Sequence, residues 1–199
     1  MADPNQQALE EARQYGETLT ARELLRTVER YHRPEGPGID RETLDAYDRA
    51  VAADDILPFA EGEFRSTVDD GLSTGEGWHD AEAYYALDDD RVSLFPRRWH
   101  ERLGDSGDVR EYVAVIEDDT ASEATEPDAP KGGIGTGVPE SLLLDAMIVI
   151  DGVEREEAKE RLERDRRDGE LVQDADQHPD ARVYLTEEAE AMRDDWLDY

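Results

Sequence analysis

The chain has 199 residues, of which 53 are acidic and 22 basic, giving a formal net charge of −31, and only 37% are hydrophobic. That length suits one medium domain or two small ones with modest cores. The absence of cysteine excludes disulfides, thiolate metal sites and cysteine nucleophiles. No apolar run approaches the length of a membrane span, and the opening MADPNQQALEEARQ lacks a signal-peptide pattern, so a soluble, cytoplasmic protein is expected.

In chain order, a charged opening segment leads into LTARELLRTVERY. Thr20 and Glu23 form a capping-box pattern, and Leu24, Val28 and Tyr31 recur at helical spacing, which predicts a helix stopped by HRPEGPG. A second helix is predicted from Asp40, with Ile39 and Leu44 as a hydrophobic staple and Leu44, Tyr47 and Val51 as its buried stripe. An irregular stretch follows. AYYAL and RVSLF, flanking Asp88 to Asp90, read as a hairpin, PRRWHERL as a short helix, and EYVAVI as a strand.

Residues 117–137, EDDTASEATEPDAPKGGIGTG, change composition to acidic, small and Gly/Pro residues, the signature of a solvated linker. The expected organisation is therefore an N-terminal α+β domain over 1–116 and a C-terminal domain over 138–199. In the latter, a helix runs from Pro139 and Glu140 to Ile150 and is apolar nearly all round, which marks it as buried. A charged helix from Glu154 to Asp168 ends at Gly169, and ELVQ and ARVYLT form a hairpin. Thr186 caps a last helix with Ala189, Met192 and Trp196 on one face.

The order helix, turn, charged helix, hairpin, helix over residues 138–199 resembles a winged helix-turn-helix. REEAKERLERDRRDGELV is similar to the third helix and first wing strand of such domains. ARVYLTEEAEA is similar to the second wing strand and following helix of MarR- and PadR-type regulators. The pattern departs from the family in leaving little room for a separate helix before the charged one, and in its acidic wing, DADQHPDAR. The N-terminal unit, with two helices and a hairpin, permits a degenerate copy of the same fold. The overall class expected is α+β.

The resemblance implies a DNA-binding transcription regulator. Phosphate contact would fall to Arg155, Lys159, Arg166 and Arg167 of the charged helix and to Arg182 of the wing. The ordinary alternative is a solvated helix laced by the i,i+4 pairs Glu157–Arg161, Glu160–Arg164 and Glu163–Arg167. A winged helix can also serve as a protein–protein adaptor in a larger assembly, and a homodimer is compatible with either role.

Lysine occurs only at positions 131 and 159, arginine carries the positive charge, and the acids are spread over every element. That composition resembles proteins of extreme halophiles, whose carboxylate-rich surfaces keep them hydrated in concentrated salt. Net charge then says little about partners, because molar salt shortens the Debye length to roughly 3 Å.

Enzymatic readings are thinner. PKGGIGTGVPES looks like a phosphate-binding loop, yet Val138 and Pro139 stand where the P-loop lysine and hydroxyl belong. LLLDAMIVID follows too closely to supply a neighbouring Walker B strand. The tripeptides Trp78-His79-Asp80 and Trp99-His100-Glu101 offer a metal-dependent enzyme as a third reading, if His79 and His100 meet. Tyr84, Tyr85, Phe95, Trp99 and Tyr112 read as core, with a ligand pocket as the alternative. No cofactor, metal or catalytic residue is assigned.

Overall fold

In a computed structural model the described residues are 3–87, 90–104, 106–123, 137–174 and 181–186. They are α+β, in two compact units, Met1–Glu101 and Arg102–Tyr199.

The first unit opens with α1 (Gln6–Tyr15), N-capped by Asn5, whose Oδ1 accepts from the Gln7 and Ala8 amides. The charged opening segment is thus largely helical. α2 (Ala21–His32) carries the complete capping box, with the Glu23 amide donating to Thr20 Oγ1 and the Thr20 amide donating to Glu23 Oε2. Its stripe of Leu24, Leu25 and Val28 is fully buried. After β1 (Ile39–Asp40), α3 (Arg41–Ala52) starts at Asp40, whose Oδ1 accepts from the Thr43 amide at 2.7 Å.

The stretch expected to be irregular holds α4 (Glu63–Asp70) and β2 (Leu72–Ser73). α4 has no cap of its own, since Gly62 stands at its N-cap. Asp48 of α3, 5% exposed, supplies one instead, accepting from the Gly62 amide at 2.8 Å and the Arg65 amide at 3.1 Å. Asp48→Ala should therefore destabilise this unit by about 2 kcal/mol, read as a lowered urea midpoint, because two helix-terminal donors lose their acceptor. An unchanged midpoint would refute the borrowed cap.

β3 (Tyr84–Leu87) and β4 (Arg91–Ser93) form the expected antiparallel hairpin, and α5 (Arg97–Leu103) the expected short helix. The sheet runs β1-β4-β3-β2, antiparallel except that β2 joins the outer edge of β3 in parallel.

The second unit corrects two expectations. EYVAVI is part of α6 (Val109–Glu123), so residues 117–123 continue a helix where a linker is expected. Val109, Tyr112, Val113 and Ile116 are all buried, and their i, i+3, i+4, i+7 spacing is helical. Residues 124–136 lie outside the described ones. β5 (Val138–Pro139) leads directly into α7 (Glu140–Ile150), where Leu143, Leu144 and Ala146 to Ile150 are all buried. α8 (Arg155–Arg167) buries only Ala158 and Leu162. β6 (Leu171–Gln173) and β7 (Arg182–Leu185) are the expected hairpin, in a sheet ordered β5-β7-β6. The helix expected after Thr186 falls outside the described residues.

Both units contain the order helix, short strand, helix, helix, hairpin, from α2 to β4 (with β2 inserted before the hairpin) and from α6 to β7, and in both the short strand pairs with the second strand of the hairpin. Ile39 faces Val92 and Asp40 faces Arg91 in one; Val138 faces Val183 and Pro139 faces Arg182 in the other. RVSL at 91–94 echoes RVYL at 182–185. The two arginines also do the same work. Arg91 donates to the carbonyls of Pro37 and Gly38 at 2.7 and 2.6 Å, and Arg182 to that of Gly137 at 2.9 Å. Each ties the chain entering the short strand to the hairpin. Among the described residues no helix is long and apolar enough to cross a membrane.

Candidate nucleic-acid interface

α8 carries six basic and five acidic residues. Its five exposed or half-exposed arginines and one lysine have unequal freedom. Arg155 reaches back to Asp145 of α7 at 3.3 Å. Arg161 bridges Asp151 at 3.2 Å and Glu157 at 2.8 Å, and its partner Asp151 is largely buried. Arg166 pairs with Glu163 at 3.1 Å, while Arg167 donates instead to the Glu163 carbonyl at 3.1 Å. Of the three i,i+4 pairs expected, Glu157–Arg161 therefore forms and Glu163 serves a different arginine. Lys159 and Arg164 are exposed and make no ion pair among the described residues. Five positions apart, they point about 140° from each other around the helix.

Of the residues expected to touch phosphate, Arg155, Lys159 and Arg166 do share a strip of α8, but two of the three are already held by carboxylates. Arg182 lies on β7, with its guanidinium donating to the Gly137 carbonyl and its amide donating to Asp174 Oδ1 at 2.9 Å. It positions the strand. The remainder of the wing, residues 175–180, lies outside the described ones.

A groove of about 610 Å³ lies in this same unit, lined by Asp108, Arg110, Glu111, Gly169, Leu185 and Thr186 among others. Arg110 faces Asp108 through two bonds of 2.8 and 3.1 Å and Glu170 at 3.3 Å, so its charge is matched. Burial, with Glu170 and Asp108 nearby, raises the Asp165 carboxyl above its ordinary value.

The phosphate-loop lookalike ends differently from its appearance. The Gly137 amide donates to Glu117 Oε1 at 3.1 Å, and LLLDAMIVI is helix α7. Of residues 131–137, read from the sequence as the end of a solvated linker, 131–136 lie outside the described ones and Gly137 is held by its bond to Glu117.

In the first unit the two Trp-His tripeptides bring their indoles together, not their imidazoles. Trp78 and Trp99 stack at 5.1 Å and 9°, with Phe95 and Tyr85 against them. These aromatics are core. His79 is exposed beside Asp80 at 4.0 Å, whereas His100 is buried. Among the described residues no group of three or more His, Asp or Glu is placed to hold a metal ion.

His100 belongs to a buried chain that sequence reading did not anticipate. Its Nε2 is 2.8 Å from Ser93 Oγ, and that hydroxyl is 2.7 Å from Glu29 Oε2. The Leu94 amide donates to Glu29 Oε1 at 2.7 Å, and the Phe95 amide to Ser93 Oγ at 3.1 Å. Burial pushes Glu29 up to about 8, partly offset by Ser93, Leu94, Arg22 and Arg91. Burial, helped by Arg33, pushes His100 down to about 4. Ser93 is fully buried, so the hydroxyl–imidazole pair has no access to a substrate.

No protein-family model, curated protein or solved structure matches this chain.

Proposed function

We propose that the chain is a non-enzymatic binding protein built on two winged helices, acting as a protein–protein adaptor in a larger assembly. The element order of each unit supports the winged-helix reading: helix, short strand, two helices and a hairpin, with the short strand beside the second hairpin strand. In the second unit α6 would be the first helix of such a fold and α7 the second, which supplies the separate helix that the sequence left little room for. That leaves α8 as the helix that would read DNA.

The observation that carries the adaptor reading is the state of the cations on α8 and the wing. Arg155, Arg161 and Arg166 are paired with carboxylates, and Arg167 and Arg182 with carbonyls. A DNA-binding face must offer its cations to phosphate, and in molar salt little counterion-release free energy remains to pull them away. In the first unit α4 is acidic, and its Arg65 is bound to Asp45 and Asp69.

A transcription regulator remains the second reading, favoured by Lys159 and Arg164. Solvent-accessible ion pairs are worth only about 0–1 kcal/mol, and the half-exposed Arg166–Glu163 pair yields readily to a better partner. The two readings separate in molar KCl, using duplex DNA by fluorescence anisotropy and partner capture followed by size exclusion. The adaptor reading expects a stoichiometric protein partner that is retained by Arg155→Glu/Lys159→Glu/Arg166→Glu, with no DNA binding. Duplex DNA bound by the natural chain and lost in that triple variant would overturn it.

A further inference from the structure

We propose that the outer edge of β6 is a docking edge for an extended protein segment carrying an apolar side chain between basic ones. This rests on the adaptor reading and names the surface that would serve it.

The two units treat the corresponding edge differently. In the first, the outer edge of β3 is covered by β2, where Leu72 faces Tyr84, Ser73 faces Tyr85, and the Tyr84 amide donates to the Gly71 carbonyl at 2.9 Å. In the second, β6 closes the sheet order β5-β7-β6 and nothing among the described residues pairs with its other side. A covering strand as short as two residues is therefore compatible with this sheet.

The free groups can be assigned. The Asp174 amide donates to the Arg182 carbonyl, and the Thr186 amide to the Glu170 carbonyl. With Val172 facing Tyr184, alternation along an antiparallel ladder turns the backbone N–H and C=O of Leu171 and Gln173 outward. Val172 itself is 40% exposed and, with Ile56, is one of two exposed large hydrophobic residues among those described. An open edge beside an exposed valine is what an added strand uses: main-chain bonds for affinity and one side-chain contact for register.

Charge selects the kind of segment. Asp168, Glu170 and Asp174 flank the edge and are all exposed. Among the described residues Asp174 accepts from two neutral donors, the Arg182 amide and the Tyr184 hydroxyl. The Arg110 guanidinium near Glu170 is already matched by Asp108. Lysine or arginine on either side of the apolar residue complements this rim.

The test uses the full chain, ¹⁵N-labelled, with the synthetic peptide acetyl-KTVTR-amide in excess. Hydrogen exchange at the Leu171 and Gln173 amides should slow about tenfold on saturation, while the Val172 amide, already paired across the hairpin, is unaffected. Val172→Asp should weaken the peptide about tenfold with little change in stability, and acetyl-ETVTE-amide should not bind. The proposal falls if the Leu171 and Gln173 amides are already slow in the free chain, which means the chain covers its own edge. It also falls if they slow only as protein concentration rises, which means a second copy does, or if the acidic peptide binds equally well. A partner captured equally by the natural chain and Val172→Asp sinks the edge and leaves the adaptor reading standing. Loss of the adaptor reading to DNA binding leaves the peptide result to decide the edge by itself.

Discussion

Between pH 6.5 and 8 the first unit should lose about 2 kcal/mol of stability through Glu29, and Glu29→Gln should abolish that loss. Glu29 is 2% exposed and its carboxyl is held up at about 8 against an ordinary 4.5. The folded state therefore keeps a proton that the unfolded chain has released. An acid raised in this way contributes stability that is complete below about 4.5 and declines with rising pH until the folded group ionises near 8. His100 works in the opposite sense. Held at about 4 against an ordinary 6.5, it stays neutral in the fold where the unfolded imidazole is charged, so its contribution is lost as pH falls from 6.5 through 4. Between about 4.5 and 6.5 the two slopes cancel, giving a plateau. Above 6.5 only Glu29 is left, at about 1.4 kcal/mol per pH unit.

Glutamine is the informative replacement because it imitates the protonated acid. Its carbonyl accepts from the Leu94 amide and its amide donates to Ser93 Oγ, freeing the hydroxyl to donate to His100 Nε2. The Phe95 amide also donates to Ser93 Oγ, so the buried hydroxyl and both oxygens of the Glu29 carboxyl keep partners in either protein. Trp196→Phe leaves Trp78 and Trp99, both in the first unit, as the only indoles. Urea unfolding at fixed molar KCl, read by their fluorescence, then gives the pH profile. Subtracting the glutamine variant cancels the other titrating groups. Parallel profiles for the two proteins above pH 6.5 would show that Glu29 does not hold its proton in the fold.

The parts legible in the sequence were those whose causes are local. The Thr20/Glu23 box, the Asp40 cap, the apolar run of α7 and both hairpins declared themselves within a few residues. EYVAVI did not, because β-branched and aromatic side chains suit a strand, and only the wider window from Val109 reveals the helical spacing. α4 was missed because its cap is Asp48, fourteen residues before Gly62. The fate of the basic helix depended on Asp145 and Asp151, each ten residues before the arginine it holds, beyond the reach of i,i+4 arithmetic. In the Glu29–Ser93–His100 chain the carboxyl and the hydroxyl are 64 residues apart, and nothing in the sequence signals their meeting.

The glycine before each short strand explains how one architecture recurs on two dissimilar sequences, and Gly38→Ala should cost the first unit about 3–4 kcal/mol. Gly38 has φ +65°, where an alanine pays about 1–2 kcal/mol. The added methyl would also lie 2.5 Å from the Val92 carbonyl oxygen, a backbone atom that cannot turn aside. Relieving that contact means separating β1 from β4 at the Ile39–Val92 pair, which Arg91 simultaneously clamps from Gly38. Gly137 stands at the corresponding place, with φ +43°, and a methyl there would strike the Tyr184 ring. Its role is close packing against the hairpin, not the flexibility its surroundings suggest. Gly62→Ala isolates the backbone term, since φ is +83° but nothing lies within 4 Å of the added carbon; about 1–2 kcal/mol is expected there. The difference between the two alanine variants, measured by urea unfolding, is the cost of the steric contact. If Gly38→Ala were no worse than Gly62→Ala, close approach of chain and hairpin would not be what fixes glycine at this position.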